Sequence, residues 1–129
     1  MKRKNCVFCN IENNEIIIEN DNAFIKYDIN PVTEGHMLII PKRHFVSFFE
    51  FKDFELQSIF NLLKKGKRVI KKKFPSVSSF NFAVNYGKAA GQKINHCHFH
   101  LVPRRMGDFD LRLKKIQSNE NGEFFWISR

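Results

Sequence analysis

The chain has 129 residues, 43% of them hydrophobic and 27% charged, the makeup of one globular domain able to bury a real core. No apolar run approaches the roughly 18–20 residues of a bilayer-spanning helix, and no apolar signal core follows the basic start "MKRKNCVFCN", so a cytoplasmic protein is expected. The net charge of +9 suits anionic partners, but an A/T-rich genome that covers the surface with lysine accounts for it equally well.

Three cysteines cannot form a fully paired disulfide set. Cys6 and Cys9 make a Cys-x-x-Cys pair, which without a signal peptide reads as half of a metal site or as a redox pair. "EIIIE" and "AFIKYD" then predict short strands around the turn "NDN". A stronger strand, Met37 to Ile40, ends at Pro41, which has no N–H to give to a ladder. "SFFE" (47–50) has the form of a capping box, and Asp53 is a second candidate cap for a long helix. Leu56, Ile59, Phe60, Leu63, Ile70 and Phe74 keep the spacing of one apolar helix face. Lysines 64, 65, 67, 71 and 72 with Arg68 mostly take the other face, as a solvated surface does, and Pro75 stops the helix. "SFNFAVNYG" predicts the next strand, and the small-residue loop "GKAAGQ" leads to His96–Val102, whose alternation predicts one more. A strand-rich order with one long helix implies α+β with an antiparallel sheet.

Three of the five histidines, His96, His98 and His100, fall at alternate positions in "NHCHFHLVPR". In a strand they share one face, while Cys97 and Phe99 point into packing, where a buried thiol is inert. Three histidines on one straight strand span roughly 13 Å, too far for a single ion to gather all of them, so at least one does other work. Cys6 and Cys9 need two more ligands, and His44 and one end of the histidine run are candidates for a closed, structural zinc site. A neutral imidazole whose other nitrogen is held as a donor is a competent nucleophile, and a neighbouring imidazole can supply charge or a proton. "NYGKAAGQK" offers backbone N–H groups suited to phosphate oxygens, although a plain hairpin loop would look the same. Together with the histidine row, the loop points to phosphoryl or nucleotidyl chemistry.

"GQKINHCHFHLVPR" resembles the His-x-His-x-His-apolar-apolar signature of the histidine-triad (HIT) superfamily. "NYGKAAGQ", "YDINPVTEGHMLIIPKRH" and "CVFCNI" resemble segments of its zinc-containing bacterial branch of purine nucleoside phosphoramidases and dinucleoside polyphosphate hydrolases. The match runs from Cys6 to about Arg104 within a single domain of residues 1–129, leaving the tail 105–129 unassigned. The resemblance implies a HIT-like α+β fold, an antiparallel sheet with one long helix and a short one, dimerising through a continuous sheet. It implies that His98 attacks the α-phosphorus of a purine nucleotide or nucleotide conjugate, forming a nucleotidyl-histidine that water hydrolyses, while His100 steadies the phosphate. His96 becomes the fourth ligand of a structural zinc ion with Cys6, Cys9 and His44. Asp28 holds the ribose hydroxyls, Ile29 lies beside the base, and Asn85, Gly91 and Gln92 line the phosphate and leaving-group side. Lys93 replaces a small hydroxyl residue and suits a longer polyphosphate or solvent. Lys26 stands where an aromatic residue often floors the base pocket. Two other classes compete with the hydrolase: a nucleotide-binding regulatory or protein-interaction module with incidental hydrolysis, and a zinc-dependent nucleic-acid binder using the basic helix.

Overall fold

The computed structural model describes residues 3–108 together with the backbone segments 116–118 and 124–126. Five antiparallel strands form one sheet in the order β1-β2-β3-β5-β4, from β1 (Ile18–Glu19), β2 (Ala23–Tyr27), β3 (Met37–Pro41), β4 (Ser79–Val84) and β5 (Phe99–Arg104). One long helix, α1 (Asp53–Lys73), lies between β3 and β4 in the chain, and the short helical element before it is a 3₁₀ turn, Phe48–Glu50. The fold is α+β. In the tail, β6 (Ile116–Ser118) pairs antiparallel with β7 (Phe124–Trp126), and the rest of the segment beyond Asp108 lies outside the described residues.

Strand alternation gives the sheet two different faces. Ala23, Ile25, Met37, Ile39, Phe99 and Leu101 turn to α1 and close the main core with Ile59, Leu62 and Ile70. Fully burying each Ile, Leu, Phe or Met side chain among these contributes about 1.5–3 kcal/mol. Phe24, Leu38 and Ile40 turn the other way and pack with Phe8 from the N-terminal loop. Register places Lys26, Leu38, His100 and Ala83 side by side across four strands on this second face. The helix therefore holds the sheet from behind, and the face opposite it carries the polar residues.

Three expectations from spacing need correction. The buried stripe of α1 is Glu55, Ile59, Leu62, Gly66 and Ile70, whereas Phe60 is 52% exposed and Leu56 37%. Helix and sheet approach closely at Gly66, where a Cβ would lie 3.2 Å from Ile25 and 3.3 Å from Leu101. Asp53 is not the cap but the first helical residue. The backbone N–H of Lys52 before it donates to Glu55 Oε1 at 2.9 Å. The "SFFE" box forms as expected but caps the 3₁₀ turn, with Phe49 N–H donating to Ser47 Oγ and Ser47 N–H to Glu50.

The third correction concerns the histidines. The strand predicted from His96 begins only at Phe99. Cys97 N–H donates to the Phe45 carbonyl at 2.6 Å, outside the β3–β5 ladder, and His96 sits in a bend. No helix among the described residues is long and apolar enough to cross a membrane. The lysines of α1 and Arg68 are exposed, as a solvated face requires.

Candidate active site and metal centre

The bend separates His96 from its two neighbours and turns it to the N-terminal cysteines. His96 Nδ1 lies 3.4 Å from Cys6 Sγ and 3.6 Å from Cys9 Sγ, and His44 Nδ1 lies 3.3 Å from Cys9 Sγ. The four ligand atoms fall within 4.8 Å of one another. Around a tetrahedral zinc ion, with Zn–S about 2.3 Å and Zn–N about 2.0–2.1 Å, sulfur and nitrogen stand about 3.5 Å apart. The donor set and its spacing fit that ion.

The far nitrogen of His96 supports the same assignment. Its Nε2–H donates to the Pro41 carbonyl at 2.7 Å, which leaves the lone pair on Nδ1, facing the sulfurs. Burial lowers the His96 pKa to about 4 and lowers His44 as well, so both rings are neutral near pH 7. Burial raises the Cys6 thiol, whose proton a metal would displace. Cys97 is fully buried, with its pKa pushed up to about 12, the inert packing thiol that alternation predicts.

His98 belongs to a different environment. Its Nδ1–H donates to the carbonyl of His96 at 2.8 Å, which in the neutral ring puts the lone pair on Nε2. His98 lines a cleft of about 260 Å³ with Val7, Phe8, Lys26, Asp28, Ile29, Asn30, Leu38, Lys93 and Ile94. The Phe8 ring, held between the two cysteines, meets His98 edge-on at 5.1 Å and His96 at 5.9 Å. The cysteine loop thus supplies both sulfurs of the candidate metal centre and a wall of the cleft.

Behind the cleft lies a relay. Val32 N–H donates to His36 Nδ1 at 3.0 Å, so the His36 proton is on Nε2. That Nε2 lies 3.0 Å from His100 Nδ1 and 3.4 Å from Asp28 Oδ2. Once His36 donates to His100 Nδ1, a neutral His100 must carry its own proton on Nε2. Asp28 Oδ1 accepts the Asn30 N–H at 2.9 Å, which aims the other oxygen at the histidine pair. The His98 and His100 ring centroids are 5.2 Å apart, which sets the Nε2 lone pair of one imidazole near the N–H of the other.

The family model for the HIT domain matches residues 11–107. The chain belongs to the HIT family. An uncharacterized HIT-like protein of Methanocaldococcus jannaschii is 40% identical over 107 residues, covering 80% of this chain and 81% of its own. The adenosine 5′-monophosphoramidase HNT1 of Candida albicans is 36% identical over 107 residues, covering 78% of this chain and 70% of the relative. The crystal structure of a zinc-bound histidine triad family protein from Mycobacterium smegmatis superposes with a TM-score of 0.71 at 34% identity, over 81% of this chain and 78% of that one.

Of the substrate residues expected in this HIT protein, Asp28, Ile29 and Lys93 reach the cleft with His98. Asn85, Gly91 and Gln92 are not among its lining residues. Gln92 is 8% exposed and braces the loop before the histidines: Oε1 accepts the Gly87 N–H, and Nε2 donates to the carbonyls of Val46 and Ile94. Gly91 closes that loop at φ 91°, a conformation that favours glycine. The expected set omits His36 and Phe8. Strand alternation was the available signal for His36, because Met37 faces the core and its predecessor must face the site with Leu38.

Proposed function

We propose that the protein is a nucleotide hydrolase or nucleotidyl transferase that cleaves nucleoside phosphoramidates or dinucleoside polyphosphates at the α-phosphate. The observation that carries this is the tautomer of His98, whose Nδ1–H is held by the His96 carbonyl while its ring borders the cleft. In the reaction, the Nε2 lone pair forms a bond to the α-phosphorus. The P–N or P–O bond to the leaving group breaks, and the bonding pair leaves with that group, which takes up a proton from solvent. Water then attacks the nucleotidyl-histidine and releases a proton to solvent, and the pair of the P–N bond returns to His98.

His100, given its Nε2 proton by the relay, stabilises charge on the phosphate oxygens. Asp28 takes the ribose hydroxyls, and Ile29, 79% exposed at the mouth, lies against the base. Asn85 and Gly91 approach the leaving group, Gln92 keeps their loop in shape, and Lys93 meets additional phosphates. Cys6, Cys9, His44 and His96 would hold a structural zinc ion, which when bound ties the N-terminal loop to the end of β3 and to the bend before β5. The active form is a homodimer extending the sheet through β4, an edge strand that carries exposed Phe82 and is followed by exposed Tyr86. The whole chain acts as one domain in the cytoplasm.

Rapid quenching with a radiolabelled nucleoside 5′-phosphoramidate tests the reading. It should trap an acid-labile nucleotidyl group on the wild-type chain and none on His98→Ala. Label retained by that variant would remove His98 as the nucleophile.

A further inference from the structure

Lys26 is a charged residue in a place that burial ordinarily denies to lysine. It is 7% exposed, sits in β2 between Leu38 and the N-terminal loop, and lines the cleft that His98 borders. Its ammonium lies 3.6 Å from the Glu15 carboxylate, a partner whose own side chain is 40% exposed. Across the sheet Lys26 is in register with Leu38, which is in register with His100. Lys26 and His100 therefore stand two strand spacings apart, roughly 10 Å. Between these polar ends the lining is apolar, from Phe8, Leu38 and Ile94.

This inference rests on the nucleotide reading of the cleft. A nucleotide whose phosphorus meets His98 lays its base across the apolar stretch toward Lys26. The apolar side chains take the faces of the ring, and the polar edge of the ring meets the ammonium. An ammonium has three donors and no acceptor. Guanine and hypoxanthine offer it two adjacent acceptors, O6 and N7, whereas adenine carries an amino donor at the sixth position. We propose that Lys26 is a specificity-determining residue that selects 6-oxopurine nucleotides over adenine nucleotides. Lys93, the other cation in the cleft, is exposed, so the buried Lys26 is the one placed to distinguish bases.

The test is calorimetric titration of the full-length, zinc-loaded protein with GMP, IMP and AMP, for wild type and Lys26→Met. In wild type GMP and IMP should bind about tenfold more tightly than AMP, the scale of one hydrogen bond to a charged donor. In Lys26→Met the three affinities should converge. Wild-type affinity for AMP equal to or above that for GMP would overturn the proposal without recourse to any variant. So would IMP behaving like AMP, since the 2-amino group would then be what is read. An equal loss for all three in Lys26→Met would make the lysine a general charge and also overturn it. Because binding is read without turnover, 6-oxopurine preference in a protein that hydrolyses no phosphoramidate leaves base selection standing and removes the hydrolase reading instead.

Discussion

Two clusters contain histidine ligand atoms packed within 4.8 Å of one another, Cys6–Cys9–His44–His96 and Asp28–His36–His100, yet they suit different chemistry. In the first, the His96 Nε2–H is spent on the Pro41 carbonyl and the Nδ1 lone pair faces two sulfurs. In the second, His36 Nδ1 already accepts the Val32 N–H and Nε2 carries a proton toward His100 and Asp28. His36 thus has no lone pair for an ion. One cluster collects lone pairs and the other aligns N–H donors. The partner of the second ring nitrogen makes the difference.

The sharpest test of this division is His98→Ala. Turnover of a nucleoside phosphoramidate should fall at least about a thousandfold, while metal analysis still finds zinc in the wild-type proportion. Loss of zinc from this variant would mean the two clusters are not separable. His36→Ala should come next, with a loss of about a hundredfold borne by kcat rather than KM. The pH–rate profile should change and zinc content should not. A variant with the wild-type profile would reduce His36 to a packing residue.

Cys9→Ser should act in the opposite sense, on metal first. Zinc should be lost, and denaturation should show about 4 kcal/mol less stability when free zinc is a thousandfold above its Kd. Activity should fall too, because Phe8 and the His96 carbonyl both touch His98. Unchanged activity in the metal-free variant would show that the two clusters work independently.

The smallest expected effect concerns the support of His44. Arg43 beside it donates to both oxygens of Glu55, at 2.8 and 2.7 Å. That hydrogen-bonded guanidinium holds the Glu55 carboxyl below its ordinary value. A depressed carboxylate contributes stability above its unfolded pKa of about 4.3 and loses it as pH falls through the folded value. Glu55→Gln should therefore cost about 1–3 kcal/mol at pH 7, discounted because Arg43 is partly exposed, and the gap to wild type should close in acid. A gap that stays constant with pH in urea denaturation would point to packing instead.

Motifs carried on short stretches were legible in advance. Cys-x-x-Cys, the alternating histidines and the strand ending at Pro41 each lie within a few residues, and strand or ligand geometry constrains them locally. Less was legible where distant segments decide. Spacing alone placed Leu56 and Phe60 on the buried face of α1, but the face that meets the sheet carries Ile59, Leu62, Gly66 and Ile70, and both residues are exposed. The alternation around His96 was a sound strand pattern, but there Cys97 N–H donates to the Phe45 carbonyl and His96 Nε2–H to the Pro41 carbonyl, both outside the ladder. Gln92 was assigned to the phosphate side by the family resemblance alone; that its amide is engaged by the backbone of its own loop and by Val46 could be seen only in the fold.

The sequence by itself determined which atoms could do chemistry: two cysteine sulfurs, a row of imidazoles, one long helix and an antiparallel sheet to hold them. Only the tertiary structure decided which nitrogen of His36, His96 and His98 keeps its proton and which offers a lone pair. His96 meets Cys6 across 90 positions and His36 meets His100 across 64. The groups that assign their protons, the Pro41 carbonyl and the Val32 N–H, belong to backbone far from the triad in sequence. A histidine offers one donor and one acceptor when neutral, and its role stays open until the fold supplies a partner for one of them.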